Sequence, residues 1–181
     1  DEDWLYANVE KLGGPLTYPS YPAGWAWAMN TPLRWTKQYT SMLGGIRNGM
    51  IMRWNRHTTK PGSICPQFGH VIDIAPTILD AAGVAAPPRI DGIDQDPMDG
   101  VSLLNSLKQC DPDAQRTQYF EIGGKIGLWH NGWWLSRDDG RAPWQLKPSE
   151  DPAAYPWELY DLSRDFSQSR DIAGRHPAKL E

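Results

Sequence analysis

Residues 125–137 read KIGLWHNGWWLSR, in which Asn131-Gly132 separates two short runs rich in apolar and aromatic side chains. Both residues of an Asn-Gly pair tolerate the positive φ of a type I′ turn, whose twist matches that of the two strands it joins. The pattern therefore predicts a β-hairpin, and alternating side chains on either side predict two more strands. The expected four-stranded antiparallel sheet covers residues 116–122, 125–130, 133–137 and 157–161.

A short helix is expected before this sheet, within residues 70–83, HVIDIAPTILDAAG. Asp73 suits the N-cap, Pro76 falls in the first turn where its missing N–H does no harm, and Gly83 suits the position after the last turn. Ile74, Ile78 and Ala82 share one face of this helix. Residues 101–107 are expected to add a helical turn.

Three other segments shape the expected fold. Residues 50–54, MIMRW, are almost wholly apolar and short enough for a strand buried on both faces. Residues 12–33 contain several glycines and prolines, which predict an irregular segment packed around a site or an interface. Residues 86–100 are rich in proline and aspartate and predict a long solvated connection. A boundary between two parts is expected near residues 109–115.

The composition excludes several classes of protein. The 181 residues suit one ordinary domain or two small ones, and the net charge of −4 argues against a dedicated nucleic-acid binder. The 17 glycines and 16 prolines are too many for a compact helical bundle, and the 10 tryptophans are too many for a disordered chain. No run approaches the roughly 18 apolar residues that cross a bilayer, so no membrane span is expected.

Both ends of the sequence suggest a segment of a longer polypeptide. The chain starts at Asp1 rather than at a methionine, and it opens with a short helical pattern that stops at Gly13-Gly14. It finishes soon after Pro177, a residue that favours the first turn of a helix. A protein trimmed to its ordered core would look the same, and that alternative stays open.

Residues that could carry chemistry give weak signals by themselves. Cys65 and Cys110 are too few for a disulfide framework, so the redox compartment stays open and Cys65 is expected to be free and buried. The aspartates of residues 91–99 do not fit a calcium loop, because Pro97 and Met98 occupy positions that need ligands or a glycine. The histidines show no ligand spacing. They are His57, His70, His130 and His176. No metal site is expected in this chain.

The tryptophans are candidates for a sugar-binding surface, because the faces of their rings stack on the apolar faces of sugars. Filling the core of the small sheet is the simpler expectation for the same side chains. The tryptophans considered are Trp25, Trp27, Trp35, Trp54, Trp129, Trp133, Trp134, Trp144 and Trp157.

In combination, residues 37–83 resemble the C-terminal half of the sulfatases, most closely the bacterial arylsulfatases. The resemblance rests on Lys37, on Gly44-Gly45-Ile46-Arg47, on the apolar run and on the helix that follows it. The ending WELYDL at 157–162, followed by Asp165 and by DIA at 171–173, also looks like the end of these proteins. The resemblance extends along the whole chain, in order, from Tyr6 onward.

The resemblance implies an alkaline-phosphatase-like α/β fold. Residues 1–110 would be the C-terminal part of the catalytic domain, including the end of its large mixed sheet. Residues 111–181 would form a small subdomain with the four-stranded antiparallel sheet and a terminal helix.

The implied activity is hydrolysis of a small-molecule sulfate ester by a formylglycine nucleophile beside a calcium ion. The C/S-x-P-x-R motif from which formylglycine is made is missing, because Pro66 follows Cys65 directly and Gly69 stands where arginine belongs. The resemblance therefore implies that the nucleophile and the calcium ligands lie upstream, in an N-terminal half that is this chain's partner. The chain alone is expected to bind neither cofactor and to be inactive.

Lys37 is the one catalytic residue that the resemblance assigns. Sulfatases place a lysine in contact with the sulfate shortly before the Gly-Gly-x-Arg turn, and Lys37 is the only lysine between Lys11 and Gly44. An ammonium on a flexible stem can follow the negative charge that grows as the S–O bond breaks. An exposed structural lysine is the alternative. Arg47 is expected to brace the turn or the junction between the two parts.

Two other functions stay open. One is the equivalent part of a related phosphodiesterase or phosphonate hydrolase of the same superfamily, which the upstream sequence would distinguish. The other is a free-standing, tryptophan-rich module that binds glycans, which binding to a glycan array would support.

Overall fold

The structure, a computed structural model, describes residues 2–15, 17, 22–112, 114–141 and 154–180. The helices in these ranges are α1 Glu2–Ala7, α2 Ala23–Asn30, α3 Leu43–Ile46 and α4 Ile74–Ala82. The strands are β1 Arg89–Ile90, β2 Ile93–Asp94, β3 Thr117–Ile122, β4 Lys125–His130, β5 Trp133–Arg137 and β6 Glu158–Asp161. No helix in the described ranges is both long and apolar enough to cross a membrane.

The predicted four-stranded sheet is confirmed, with β3, β4, β5 and β6 side by side in chain order. β5 and β6 run antiparallel, with Trp134 opposite Tyr160. The turn between β4 and β5 has φ of 48° at Asn131 and 83° at Gly132. Two consecutive residues with positive φ are what a type I′ turn requires, so local turn chemistry alone places this hairpin.

The helix predicted after Asp73 is confirmed as α4, which ends at Gly83 with φ of 68°. Asp73 is at the N-cap position of α4, as predicted, but its side chain makes no cap hydrogen bond to that helix. Its buried carboxylate instead accepts hydrogen bonds from the backbone N–H groups of His70 (2.7 Å) and Val101 (2.9 Å) and from Arg116 (2.5 Å). Burial raises the pKa of Asp73, but these bonds outweigh it and lower the pKa overall.

The strand predicted over residues 50–54 is wrong. The segment belongs to no strand, and Ile51 is 97% exposed. An extended segment becomes a strand only when its backbone N–H and C=O groups find a partner strand, and no described strand pairs with it. The apolar pattern predicts that these side chains are buried in a sheet, but the described part of the chain has no strand that pairs with them.

Two regular elements occur where irregular chain was expected. Within residues 12–33, α2 follows Pro22 and contains the good helix formers alanine and methionine. Within residues 86–100, β1 and β2 form a two-stranded ribbon whose turn has φ of 50° at Asp91 and 82° at Gly92. Asp-Gly is itself a hairpin signal, so this ribbon was predictable from the sequence.

The end of the described chain holds two 3₁₀ turns, Ala173–Arg175 and Pro177–Lys179, in place of the expected terminal helix. Pro177 occupies the first position of its turn, as expected for a residue without a backbone N–H. The helical pattern at the other end is confirmed by α1.

The contacts divide the chain into two compact units. The first unit comprises residues 1–47, 119–128 and 133–181, and the second comprises residues 48–118 and 129–132. The assignment of residues 1–110 and 111–181 to separate parts of a larger enzyme stays a prediction.

Trp134 is the centre of the core of the first unit. It is fully buried, and its indole N–H donates to the carbonyl of Ser41 at 2.8 Å. A Cβ on Gly127 of β4 would overlap the Trp134 ring and the carbonyl oxygen of Thr40, so the close packing requires glycine there. The other buried apolar side chains of this core are Tyr39, Met42, Leu43, Leu159, Tyr160 and Ala173.

Cys65 and Cys110 form a disulfide within the second unit, with Cα atoms 5.6 Å apart. The prediction that Cys65 is free is therefore wrong. The two cysteines are separated by 45 residues, and only the folded chain brings them within bonding distance.

Breaking this disulfide should destabilise the protein. Closing a loop of this length restricts the unfolded chain and corresponds to about 4 kcal/mol in the chain-entropy account. We expect reductant to lower the urea midpoint of the purified chain, and the double variant Cys65→Ser/Cys110→Ser to have the lower midpoint with or without reductant. A wild-type midpoint that ignores complete reduction would contradict this expectation.

Candidate functional site

Lys37 lies exposed on a tight turn of the first unit. The backbone N–H of Tyr39 donates to the carbonyl of Thr36 at 3.3 Å and closes the turn. Two residues of this segment, Trp35 and Gln38, have positive φ, of 64° and 76°. Such values are uncommon for residues other than glycine and persist only where the surrounding structure enforces them, often at functional sites.

The Gly44-Gly45 pair of α3 packs directly against the backbone that carries this turn. The Gly44 N–H donates to the carbonyl of Arg34 at 3.0 Å. A Cβ on Gly44 would overlap the carbonyl oxygens of Arg34 and Trp35, and a Cβ on Gly45 would overlap that of Tyr39. The Gly-Gly pattern therefore has a physical reason in this chain, since a side chain at either position would displace the Lys37 turn.

Gly45→Ala should destabilise the first unit by about 3 kcal/mol, at the upper end of overpacking effects. Its methyl group would meet a backbone carbonyl that cannot move without opening the turn. Gly174→Ala is the matched control, because open space surrounds its Cβ position and its φ is not positive. Urea unfolding of both variants measures the difference. Equal midpoints for the two would show that the close approach at Gly45 has no energetic consequence.

α2, which sequence analysis missed, supports the turn from another side. Asn30 at its end donates from Nδ2 to the carbonyls of Trp35 (2.8 Å) and Gly44 (2.9 Å). The Trp35 ring stacks on Tyr39 with centroids 4.2 Å apart, and the edge of Trp27 meets Trp35 at 5.7 Å. Hydrogen bonds and ring stacking therefore both restrain Trp35 and Tyr39, which lie two residues before and after Lys37.

A buried charge cluster lies beneath the turn and consists of Lys125, Asp138, Asp139 and Arg141. Lys125 on β4 is 5% exposed, and its Nζ donates to Asp138 at 2.7 Å and to Asp139 at 2.8 Å. Arg141 pairs with the second oxygen of Asp139. The sequence places Lys125 in a predicted strand but does not indicate its partners, because two aspartates before a glycine also fit an ordinary turn.

Three consecutive residues after the Lys37 turn contact this cluster. The Tyr39 hydroxyl donates to the carbonyl of Arg141 at 2.8 Å, and the Lys125 ammonium lies 4.5 Å from the centre of the Tyr39 ring. The Thr40 hydroxyl donates to the carbonyl of Lys125. The Ser41 hydroxyl donates to Asp138 at 2.5 Å. The charge cluster therefore positions the chain that carries Lys37.

Lys125 and Asp139 stabilise each other in their charged forms. Burial lowers the pKa of Lys125, but its hydrogen bonds to the two carboxylates raise the pKa overall. Burial raises the pKa of Asp139, but the hydrogen bonds from Lys125 and Arg141 lower it overall. For Tyr39, burial is the largest influence and raises the pKa of the phenol, which stays neutral.

Residues near the end of the chain complete the support of α3. The fully buried Gln168 accepts a hydrogen bond from the Leu43 N–H at 2.7 Å through its side chain, and its carbonyl accepts one from Arg34 at 2.8 Å. The Arg47 guanidinium lies 4.2 Å from the centre of the Phe166 ring. This cation–π contact suits the bracing role expected of Arg47.

No group of three or more His, Cys, Asp or Glu side chains in the described ranges could hold a metal ion. Within the acidic segment, Asp94 pairs with Arg89 at 2.8 Å across the β1–β2 ribbon. The residues described here therefore do not fit the calcium ion that the resemblance implies. Cys65 is bonded to Cys110 and is not a free thiol.

The tryptophans divide between core and surface. Trp134 is fully buried, whereas Trp25 and Trp27 on α2 are 66% and 48% exposed. Trp129 stacks on Phe68 in the second unit, with centroids 4.1 Å apart. Trp144 lies outside the described residues.

Comparison with known sequences gives one family. Its model, described as Sulfatase, matches residues 8–84, which contain the Lys37 turn, α3 and α4. The chain is also 29% identical over 174 residues to an uncharacterized sulfatase of Schizosaccharomyces pombe. That alignment covers 94% of this chain and 29% of the relative, so the chain spans less than a third of that protein's length.

Comparison with solved structures shows the fold. The protein Ps i-CgsB, solved in complex with k-i-k-neocarrahexaose, matches with a TM-score of 0.61 at 19% identity, over 83% of this chain and 30% of that chain. A protein labelled BT33336S-sulf, from a study of how Bacteroides thetaiotaomicron metabolises glycosaminoglycans, matches with a TM-score of 0.55 at 21% identity. It aligns with 79% of this chain and 28% of its own length.

Proposed function

Because residues 8–84 match the sulfatase family model, we propose that this chain is the C-terminal portion of a longer enzyme that hydrolyses sulfate esters. The observation that carries the proposal is the exposed ammonium of Lys37 on a restrained turn inside the matched family segment. Relatives about three times as long as this chain leave room for the remainder of such a site.

The proposed role of Lys37 follows from the charge changes of the reaction. Hydrolysis adds water across the S–O bond of the ester and yields an alcohol or a phenol together with sulfate. Negative charge grows on the leaving oxygen and is redistributed over the sulfate oxygens as that bond breaks. A cation already fixed in position stabilises this charge more than water does, because it need not reorient as the reaction proceeds.

The preorganisation of Lys37 comes from its neighbours. Asn30, Gly44-Gly45 and the buried charge cluster restrain the backbone on both sides of the turn. The four-carbon stem of lysine then lets the ammonium adjust over a short range around a defined point. The same arrangement would serve transfer of a phosphoryl group, so substrate choice must be tested directly.

The formylglycine nucleophile and the calcium ion stay part of the proposal for the longer protein. We place their residues in its N-terminal half, which is the proposed partner of this chain. We propose further that residues 1–110 complete the catalytic domain and that residues 111–181 form the small C-terminal subdomain.

The test compares two substrates on the longer protein, expressed from the gene that encodes this chain. We expect turnover of 4-nitrophenyl sulfate to exceed turnover of bis(4-nitrophenyl) phosphate by at least tenfold. The 181-residue chain alone should hydrolyse neither ester. The opposite preference would favour the phosphodiesterase alternative, and turnover by the purified chain alone would contradict the proposed division of the site.

A further inference from the structure

Three aromatic side chains of the first unit, Trp27, Trp35 and Tyr39, contact one another in series and are called here the aromatic ladder. Tyr39 is 1% exposed, Trp35 is half-buried, and Trp27 on α2 is 48% exposed. The ladder therefore extends from the core to the surface. Trp35 and Tyr39 lie two residues before and after Lys37, so the ladder and the Lys37 turn share one short segment of backbone.

The inner end of the ladder is fixed by the charge cluster. The Trp35 and Tyr39 rings are nearly parallel, with centroids 4.2 Å apart. The Tyr39 hydroxyl donates to the carbonyl of Arg141 at 2.8 Å, and the Lys125 ammonium lies 4.5 Å from the centre of the Tyr39 ring. Trp35 therefore packs on a ring that is itself held in place.

The outer end of the ladder is fixed by the last turn of α2. The carbonyl of Trp27 accepts hydrogen bonds from the backbone N–H of Thr31 at 3.2 Å and from its hydroxyl at 3.1 Å. The Trp27 and Trp35 rings meet at 74° with centroids 5.7 Å apart, a contact that leaves Trp27 half open to solvent. An exposed ring restrained in this way loses little conformational entropy when a ligand stacks on it.

The segment that carries the ladder also attracts anions. Residues 11–47 contain no aspartate or glutamate, and their cationic side chains are Lys11, Arg34, Lys37 and Arg47. The carboxylates of the charge cluster are paired with Lys125 and Arg141. An anionic ester that approaches Lys37 therefore meets positive charge and an open aromatic ring on one segment of the chain.

We propose that Trp27 binds the ring of the leaving group, the alcohol or phenol part of the ester whose sulfate contacts Lys37. The leaving group is joined to the sulfate through a single oxygen, so its first ring lies beside the sulfate. An indole stacks on a flat aryl ring or on the apolar face of a sugar ring, and an acyclic chain offers no such face. The inference rests on the proposed function and adds the residue that selects ring-bearing esters.

Kinetics of the longer protein test this role of Trp27. Trp27→Ala should raise KM for 4-nitrophenyl sulfate about fivefold or more with kcat unchanged, because stacking stabilises the bound ester and the transition state equally. Trp27→Phe keeps a ring and should recover part of the loss. A thermal melt of each variant checks folding. A fall in kcat without a change in KM would contradict a binding role.

Trp25→Ala is the matched control. Trp25 is 66% exposed on the same helix, and two residues of separation place it on nearly the opposite side of α2 from Trp27. We expect it to change KM less than twofold. An equal rise of KM in Trp25→Ala and Trp27→Ala would mean that α2 as a whole, and not the ladder, is responsible, and would overturn the inference.

Three competing anions show which group Trp27 contacts. Benzenesulfonate carries an aryl ring, glucose 6-sulfate carries a sugar ring, and propane-1-sulfonate carries an acyclic chain. Trp27→Ala should raise Ki for the two ring-bearing anions and leave Ki for propane-1-sulfonate unchanged, and the larger rise identifies the preferred ring. An equal rise for all three would indicate a general loss of anion binding and would overturn the inference.

Binding to the 181-residue chain separates this inference from the proposed function, because it needs no catalysis. The NMR signals of the Trp27 and Trp35 indole N–H groups should shift with a ring-bearing anion and not with propane-1-sulfonate. Failure of the longer wild-type protein to hydrolyse any sulfate ester rejects the proposed function even where these signals shift. Hydrolysis in which Trp27→Ala leaves KM and both ring-bearing Ki values unchanged rejects the ladder inference alone.

Discussion

Lys37→Ala in the longer protein should lower kcat for an aryl sulfate about a hundredfold or more, the scale seen when one preorganised electrostatic contact is removed. In the proposed role the ammonium stabilises charge that grows mainly in the transition state, so the loss is expected in kcat. Stability should change by less than about 0.5 kcal/mol, because the side chain of Lys37 is exposed. Steady-state kinetics with a thermal melt measures both effects.

Two further variants sharpen the Lys37 experiment. Lys37→Arg should restore only part of the rate, because a planar guanidinium cannot occupy the place of a compact ammonium. Lys11→Ala changes another exposed lysine of the same unit and should keep the wild-type rate. Wild-type kcat in Lys37→Ala would assign Lys37 the structural role that sequence analysis left open.

Lys125→Met should give the largest loss of stability, about 3–5 kcal/mol, as expected when one member of a buried ion pair is removed. The side chains of Asp138 and Asp139 are only 17% and 3% exposed, and Arg141 would then be the only cation of the cluster beside them. Methionine keeps the length and the apolar stem of lysine, so the loss reports mainly on charge. Urea unfolding at neutral pH measures it.

The controls for Lys125 separate a buried charge from an exposed one. Arg164→Met removes an 87% exposed partner of Asp161 and should cost less than about 1 kcal/mol. Adding Asp138→Asn and Asp139→Asn to Lys125→Met should recover part of the stability, because no unpaired carboxylate then remains buried. If Lys125→Met unfolds at the wild-type midpoint, the charge cluster does not support the first unit.

The elements predicted correctly depend on residues close together in the chain. The Asn131-Gly132 hairpin and the helix that ends at Gly83 each follow from a few neighbouring side chains. The prediction for residues 50–54 failed for the opposite reason. Its apolar pattern predicts which side chains would be buried, but it does not show whether a partner strand is present. None of the described strands pairs with this segment.

The residues of the candidate site also divide into those that the local sequence identifies and those that it does not. Lys37 and the Gly44-Gly45 pair could be selected from the sequence because they form a family pattern within a few residues. The charge cluster that supports them could not, because an aspartate pair before a glycine has many ordinary uses in turns. α2 was missed because prolines and glycines around it outweighed the weak helical preference of its own residues.

The sequence by itself therefore determined the turns, the antiparallel sheet, the helix before Gly83 and the resemblance to one family, since each depends on local order along the chain. Only the tertiary structure decided which charged and sulfur-bearing side chains meet. Lys125 finds Asp138 across 13 residues, Asp73 finds Arg116 across 43, and Cys65 finds Cys110 across 45. Such pairs form because packing of the whole unit brings distant segments together and excludes water around them, and neither effect is encoded in spacing along the chain.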